Sequence, residues 1–281
     1  MKRFFIFILS CFSGLALFAQ DTVTLSDSKP FVLGTIHEMQ SKVLDEKRVI
    51  NIYLPPGYNE NDTVNYPVIY LLDGSADEDF IHIAGLVQFL NFPWVNKLPN
   101  SILVGIANVD RRRDLTFPTT IEKDKKDFPT TGGSEKFIDF IASELQPFIE
   151  KKYRTTPSKT IIGQSLGGLL ATEILFKKPQ LFNKYIIVSP SLWWDNESLL
   201  KVPPKVLNPR FDNMISVFIA FGKEGKIMET DAKSLVEILK LNPKKIKITS
   251  EYFTDENHAS IMHNAVYKGL EAINKNTSVS K

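Results

Sequence analysis

Cysteine is almost missing from this chain: among 281 residues only Cys11 is present. A single thiol excludes an internal disulfide, a thiolate metal site and, if the N-terminal segment is removed, a cysteine nucleophile. Charge of one sign is missing too, with 34 Lys and Arg against 32 Asp and Glu. So small an excess offers no case for a nucleic-acid partner. No apolar run reaches the roughly 20 residues needed to span a bilayer. There is no His-Glu-x-x-His, no cysteine cluster and no phosphate loop, so neither a metal nor a nucleotide cofactor is expected.

Residues 1–19 differ from the rest. Lys2 and Arg3 precede the apolar run from Phe4 to Phe18, and Ala19 follows as a small residue. This order of basic, apolar and small positions is that of a secretory signal peptide, cut near Ala19 or Gln20. A lipid-attachment reading at Cys11 is weaker, because the apolar run continues past it. Loss of Lys2 and Arg3 brings the formal charge from +2 to zero. The mature protein is therefore expected to be periplasmic or secreted from a bacterium, with no stable membrane insertion; its oligomeric state is not legible. Residues 20–281 are expected to form a single domain, since no linker and no repeat divides them.

The most informative stretch is Lys159-Thr-Ile-Ile-Gly-Gln-Ser-Leu-Gly-Gly-Leu-Leu-Ala171. A β-branched run leads into Gly163-Gln-Ser-Leu-Gly167 and an apolar helix start follows, the context of a nucleophile elbow centred on Ser165. Around it, extended segments are expected near 31–36, 48–54, 68–72, 101–106, 185–189, 216–221 and 245–253. The alternation of Lys and Ile from Lys245 suits an edge strand. Helix-length segments separate most of the others: 80–94 as loop or helix, 134–153 with a break at Pro147, 229–241, and 259–273. That order argues an α/β fold with a doubly wound, mostly parallel sheet and an antiparallel start. Ligands of such a sheet sit outside the carboxyl ends of its strands. Ser75, Arg111, Arg112, Arg113, Ser165, Trp193, Glu224 and His258 all follow an expected strand.

A serine hydroxyl needs a base within hydrogen-bond reach and a third group to orient that base. His258, after the last strand, holds the position that the chain order Ser, acid, His requires. His37, His82 and His263 read as structural. Glu224 is the favoured acid, with Asp231 and Asp255 as rivals. The oxyanion hole is expected from the backbone N–H groups of Leu166 and, after the 68–72 strand, Ser75. The chemistry would be attack of Ser165 on an ester carbonyl, followed by hydrolysis of an acyl-enzyme.

Five motifs in order carry a resemblance that spans nearly the whole mature chain. They are Tyr66-Pro-Val-Ile-Tyr-Leu-Leu-Asp-Gly74, Asp110-Arg-Arg-Arg-Asp-Leu-Thr116, Gly163-Gln-Ser-Leu-Gly-Gly168, Ser189-Pro-Ser-Leu-Trp-Trp194 and Glu256-Asn-His-Ala-Ser260. Together they resemble the bacterial esterase family of α/β-hydrolases that includes enterochelin-type siderophore esterases and relatives of feruloyl and acetyl-xylan esterases. The resemblance implies an α/β-hydrolase fold with helices on both faces of the sheet, Ser165 as nucleophile and His258 as base. Gln164 departs from it, since many relatives carry His there. Arg111, Arg112 and Arg113, with Trp193 and Trp194, would suit an anionic aromatic small-molecule ester such as a ferric catecholate trilactone. Bracing of loops by Arg113 and the tryptophans is the competing reading. A sugar-linked feruloyl or acetyl ester, acyl transfer instead of hydrolysis, and ligand binding on a retired scaffold stay open.

Overall fold

In the computed structural model, which describes residues 27–275, the central feature is a sheet of eight strands. They are β1 (Thr35–Ser41), β2 (Glu46–Tyr53), β3 (Tyr66–Leu71), β4 (Ile102–Ile106), β5 (Thr155–Gln164), β6 (Lys184–Val188), β7 (Ile215–Gly222) and β8 (Ile246–Phe253). Their order across the sheet is β1-β2-β4-β3-β5-β6-β7-β8. β1 and β2 are antiparallel, as are β2 and β4; every other pair is parallel. The expected signal peptide lies outside the described residues. From Leu33 onward the described chain forms one compact unit.

The helices are α1 (Phe80–Asn91), α2 (Arg111–Leu115), α3 (Glu122–Asp127), α4 (Ser134–Phe140), α5 (Gln146–Lys152), α6 (Leu166–Lys177), α7 (Trp194–Glu197), α8 (Lys226–Lys240) and α9 (Met262–Asn274). Side chains of a strand alternate between its two faces, so each parallel strand feeds two cores. Val68, Tyr70, Ile161, Ile187, Val217 and Ile219 face one side, with apolar residues of α4, α6 and α8. Ile69, Leu71, Ile162, Ile186, Val188 and Phe218 face the other, with α1 and α9. Among the described residues no helix is long and apolar enough to cross a membrane.

Three differences from the sequence reading have physical causes. The first strand begins at Thr35, not near Phe31, and its polar run Thr35–Ser41 forms a sheet edge that pairs with β2 alone. Apolarity pointed to the wrong residues because an edge strand needs only a partner's backbone. The break expected at Pro147 lies upstream, as a π-helical turn over Ile141–Leu145. Proline has no N–H to give the preceding turn, and one wider turn absorbs that loss just before Pro147 takes its place in the first turn of α5. The last helix starts at Met262, three residues later than expected, and leaves 258–261 as turns.

The close contact between β5 and α6 depends on glycine. A Cβ at Gly163 would lie 2.3 Å from the carbonyl oxygen of Gly167. Gly163→Ala should therefore cost about 1–3 kcal/mol of unfolding free energy, the usual penalty of forced overpacking. Urea denaturation of the variant beside wild type measures it.

Candidate active site

Ser165 stands between β5 and α6 with φ 59° and ψ −118°. Such a conformation costs about 1–3 kcal/mol and persists only where its surroundings enforce it. Here they do: the Ser165 N–H donates to Val188 O at 3.0 Å, and Ser165 O accepts from Leu169 at 2.9 Å and Ser191 at 3.0 Å. Its Oγ lies 3.2 Å from Ser191 Oγ. The Leu166 N–H is among the first four of α6, which have no acceptor within their own helix.

Two neighbouring strand ends bring His258 and Glu224 together. His258 Nδ1 meets Glu224 Oε2 at 2.9 Å. The side chain of Glu224 is buried, whereas that of His258 is half exposed. Glu224 Oε1 accepts from the Ser189 hydroxyl and from the Gly222 N–H. Burial by itself would raise the pKa of Glu224, but the bonds from His258, Ser189 and Gly222 outweigh it and hold the carboxyl below its usual range. An ionised Glu224 requires Nδ1 of His258 to carry a proton, which leaves Nε2 as the acceptor nitrogen. Two backbone ties fix the loops: Lys223 N–H donates to Glu256 O at 2.7 Å, and Gln164 Nε2 donates to His258 O at 2.5 Å. Gln164 thus anchors the histidine's main chain.

Ser165 opens onto three adjoining cavities. One, of about 250 Å³, is lined by Arg112, Phe128, Leu166, Trp193 and Trp194. A second, of about 380 Å³, holds Asp73, Glu78, Asp79, Arg111 and His258. The third, of about 560 Å³, brings Ser165, Glu224 and His258 together beside Trp193 and Lys223. A larger hollow of about 670 Å³ lies around Thr155, Asn183 and Met214, at the opposite ends of the strands. Its place at the N-terminal edge of a parallel sheet argues against chemistry there.

The other expected site residues divide. Trp193 is partly exposed and lines two of the cavities, while Trp194 is buried, with Nε1 donating to Phe117 O at 2.8 Å. Arg112 lines the smallest cavity and stacks over Phe128 at 4.7 Å, with no carboxylate partner among the described ion pairs. Arg111 is paired with Asp73. Arg113 lines none of the three cavities and binds Glu46 at 2.6 Å and Asp114 at 2.7 Å. Those carboxylates also hold the fully buried Arg48, which packs over Phe137. Arg113 is thereby tied to the carboxylates of β2 and α2. Ser75 is not brought to the Ser165 cavities either, and its N–H faces Glu78 Oε2 at 3.4 Å, a weak bond.

Of the rival acids, Asp255 is exposed in the turn after β8. Asp231 is buried in α8 with Oδ2 unpartnered. Neither bonds His258 among the described residues. His82 and His263 stack on each other, and His37 meets Tyr153, all away from Ser165. Sequence reasoning missed Asp73, Ser189, Ser191 and the carboxylates beside Arg111. Their signal was position, since Asp73 lies two residues past β3 and Ser189 directly after β6, with φ of 54° and 44°. Among the described residues no group of three or more His, Cys, Asp or Glu side chains is arranged to hold a metal ion.

A sequence model of the family described as "Putative esterase" matches residues 41–269. The chain belongs to that family. It is an esterase, a hydrolase of ester bonds. It is 30% identical over 257 residues to the ferri-bacillibactin esterase BesA of Bacillus subtilis, covering 84% of this chain and 88% of that protein. An IroE-like serine hydrolase from Shewanella oneidensis superposes with a TM-score of 0.77 at 31% identity, over 88% of this chain and 82% of that one. The BES protein from Bacillus cereus also reaches 0.77, at 30% identity, over 89% and 98%. The esterase thus has the mixed, mostly parallel sheet of the α/β-hydrolases.

Two outcomes follow from the buried charges. Asp114→Ala would leave Arg48 without its closest carboxylate, and should lower stability by about 3–5 kcal/mol in urea denaturation. Asp231 has its pKa pushed up to about 6, by burial first and then by Glu197. A raised carboxyl gives stability at low pH that is lost as pH rises through the folded value. Asp231→Asn should therefore melt above wild type at about pH 8 and gain little at about pH 4.

Proposed function

We propose that this esterase works through Ser165 as nucleophile, His258 as general base and Glu224 as the orienting acid. One observation carries the reading: Glu224 holds Nδ1 of His258 at 2.9 Å while His258 and the strained Ser165 line the same cavity. Nε2 of His258 takes the hydroxyl proton as Ser165 Oγ attacks the ester carbonyl. The tetrahedral oxyanion is met by the Leu166 N–H and a second donor from the turn after β3. His258 then protonates the leaving alcohol, and a water molecule, activated by the same nitrogen, releases the acid from the acyl-enzyme.

The substrate we propose is a siderophore ester, the trilactone class foremost. The relative named as a ferri-bacillibactin esterase supports it, since that protein matches across most of both chains. So does the cavity of Arg112, Phe128 and Trp193, which pairs a cation that has no carboxylate partner among the described ion pairs with aromatic faces, as an anionic aromatic ligand needs. The arginine cluster counts for less than its sequence suggested, because Arg111 and Arg113 are already paired. We further propose that residues 1–19 direct the enzyme to the periplasm or the medium.

Fluorophosphonate labelling of the purified mature protein is expected to mark Ser165 and to vanish in Ser165→Ala and His258→Ala. Glu224→Ala should lower kcat by up to about 10⁴-fold, the loss expected when a histidine is left in the wrong tautomer. A folded wild type that resists the probe would end the triad reading. An ester panel decides the substrate: kcat/KM should be highest for ferric catecholate trilactones, and a preference for feruloyl or acetyl sugar esters would overturn that choice. N-terminal sequencing of exported protein should begin near Gln20 or Asp21.

A further inference from the structure

Arg111 was expected to contact substrate, yet its guanidinium is occupied. Nε donates to Asp73 Oδ1 at 2.6 Å and Nη2 to Asp73 Oδ2 at 2.9 Å, a fork on both carboxylate oxygens. Asn108 Nδ2 adds a third donor to Oδ1 at 2.7 Å. Asp73 stands two residues past the end of β3 with φ 54°, a left-handed conformation that a non-glycine residue keeps only under constraint. The turn it opens is held from every side. Leu72 N–H donates to Ile162 O, Gly74 N–H to Ile106 O, Asn51 Nδ2 to Gly74 O, and Asp79 N–H to Asp73 O. The Asp73 carboxylate also reaches the elbow: Oδ2 lies 3.4 Å from where a Cβ on Gly167 would stand.

We infer that Arg111 and Asp73 form a clamp that positions the oxyanion-stabilising groups, with Arg111 acting on the reaction through Asp73 and not through the substrate. This rests on the proposed Ser165 mechanism. Asp73 lies in the turn after β3, and its carboxylate adjoins Gly167 in the first turn of α6; it thus sits between the two elements from which the proposed mechanism draws its oxyanion donors, and sets their spacing. Its charge makes Arg111 indispensable. A bare carboxylate this close to Ser165, with Glu78 and Asp79 lining the same cavity, would repel the negative charge that develops on the carbonyl oxygen. The bidentate guanidinium cancels that charge where it arises.

The clamp and a substrate contact are separated by the neutral ester 4-nitrophenyl acetate, which offers an arginine no anion to bind. Arg111→Gln should lower kcat on it by about 10²–10³-fold, as loss of oxyanion stabilisation does, with KM changed less than about threefold. The rate of fluorophosphonate labelling should fall in parallel. Adding Asp73→Asn to Arg111→Gln should restore about tenfold of the lost rate, because it removes the uncompensated charge. Arg111→Lys, which keeps the charge and loses the fork, should fall between wild type and Arg111→Gln. Thermal melting of each protein checks folding; should Arg111→Gln not fold, Arg111→Lys with and without Asp73→Asn carries the same comparison.

Unchanged kcat on the neutral ester in Arg111→Gln, with a raised KM for anionic esters alone, would overturn the clamp and return Arg111 to substrate binding. A double variant no faster than Arg111→Gln would overturn the charge argument. Failure of the triad itself is distinct, since wild type would then neither hydrolyse the ester nor take the probe.

Discussion

The backbone at Ser165 is the constraint on which the rest of this structure depends. A serine at φ 59° is strained, and the strain is tolerable because β5 and α6 are both anchored before they meet. β5 lies inside the sheet between β3 and β6. α6 is buried along almost its whole length, from Gly167 to Phe176. With both elements fixed by burial, the single residue between them, Ser165, has no way to relax, and the serine hydroxyl is left facing the cavities above the sheet. Each hydrogen bond at the elbow, to Val188 and from Leu169 and Ser191, reinforces that geometry.

The charges around the elbow are arranged in pairs, and the pairing decides what each can do. Glu224 is hydrogen-bonded to His258, while ion pairs join Asp73 to Arg111 and Asp114 to Arg48 and Arg113. Buried ions stay charged only when matched in this way. Arg113 and Arg48 therefore belong to the scaffold that carries α2, although Arg113 adjoins two arginines at the site. Arg112, over the ring of Phe128 and without a carboxylate among the described ion pairs, is the member of the run whose charge is left to the cavity.

Loops after the strands hold one another as much as the strands hold them. The loop of Glu224 is bonded to that of His258 through Lys223 and Glu256, and the elbow reaches the same histidine through Gln164. Past the tryptophans, Asp195, Asn196 and Glu197 all take positive φ, and Asp195 is tied to Thr119 and Thr120. Strain of this kind marks segments whose shape is imposed by their surroundings. It keeps Trp193 at the mouth of two cavities while Trp194 is buried beneath.

What the sequence determined by itself were features written in short range. The parallel strands were legible because apolar runs of five or six residues have nowhere to go but a buried sheet, and the elbow because glycine, serine and glycine fell between a strand and a helix. That Ser165, Glu224 and His258 lie on one side of the sheet was legible from the order of strand ends, since a parallel sheet sends all such ends to one side. The start of β1 was not legible, because an edge strand is selected by its partner's backbone. The partners of Arg111 and Arg113, the place of Ser75 and the choice of Glu224 over Asp231 and Asp255 beside His258 were decided by the tertiary structure. Each depends on which carboxylate lies within hydrogen-bond distance after folding, and the Coulomb and hydrogen-bond energies that choose it act across dozens of residues of intervening chain.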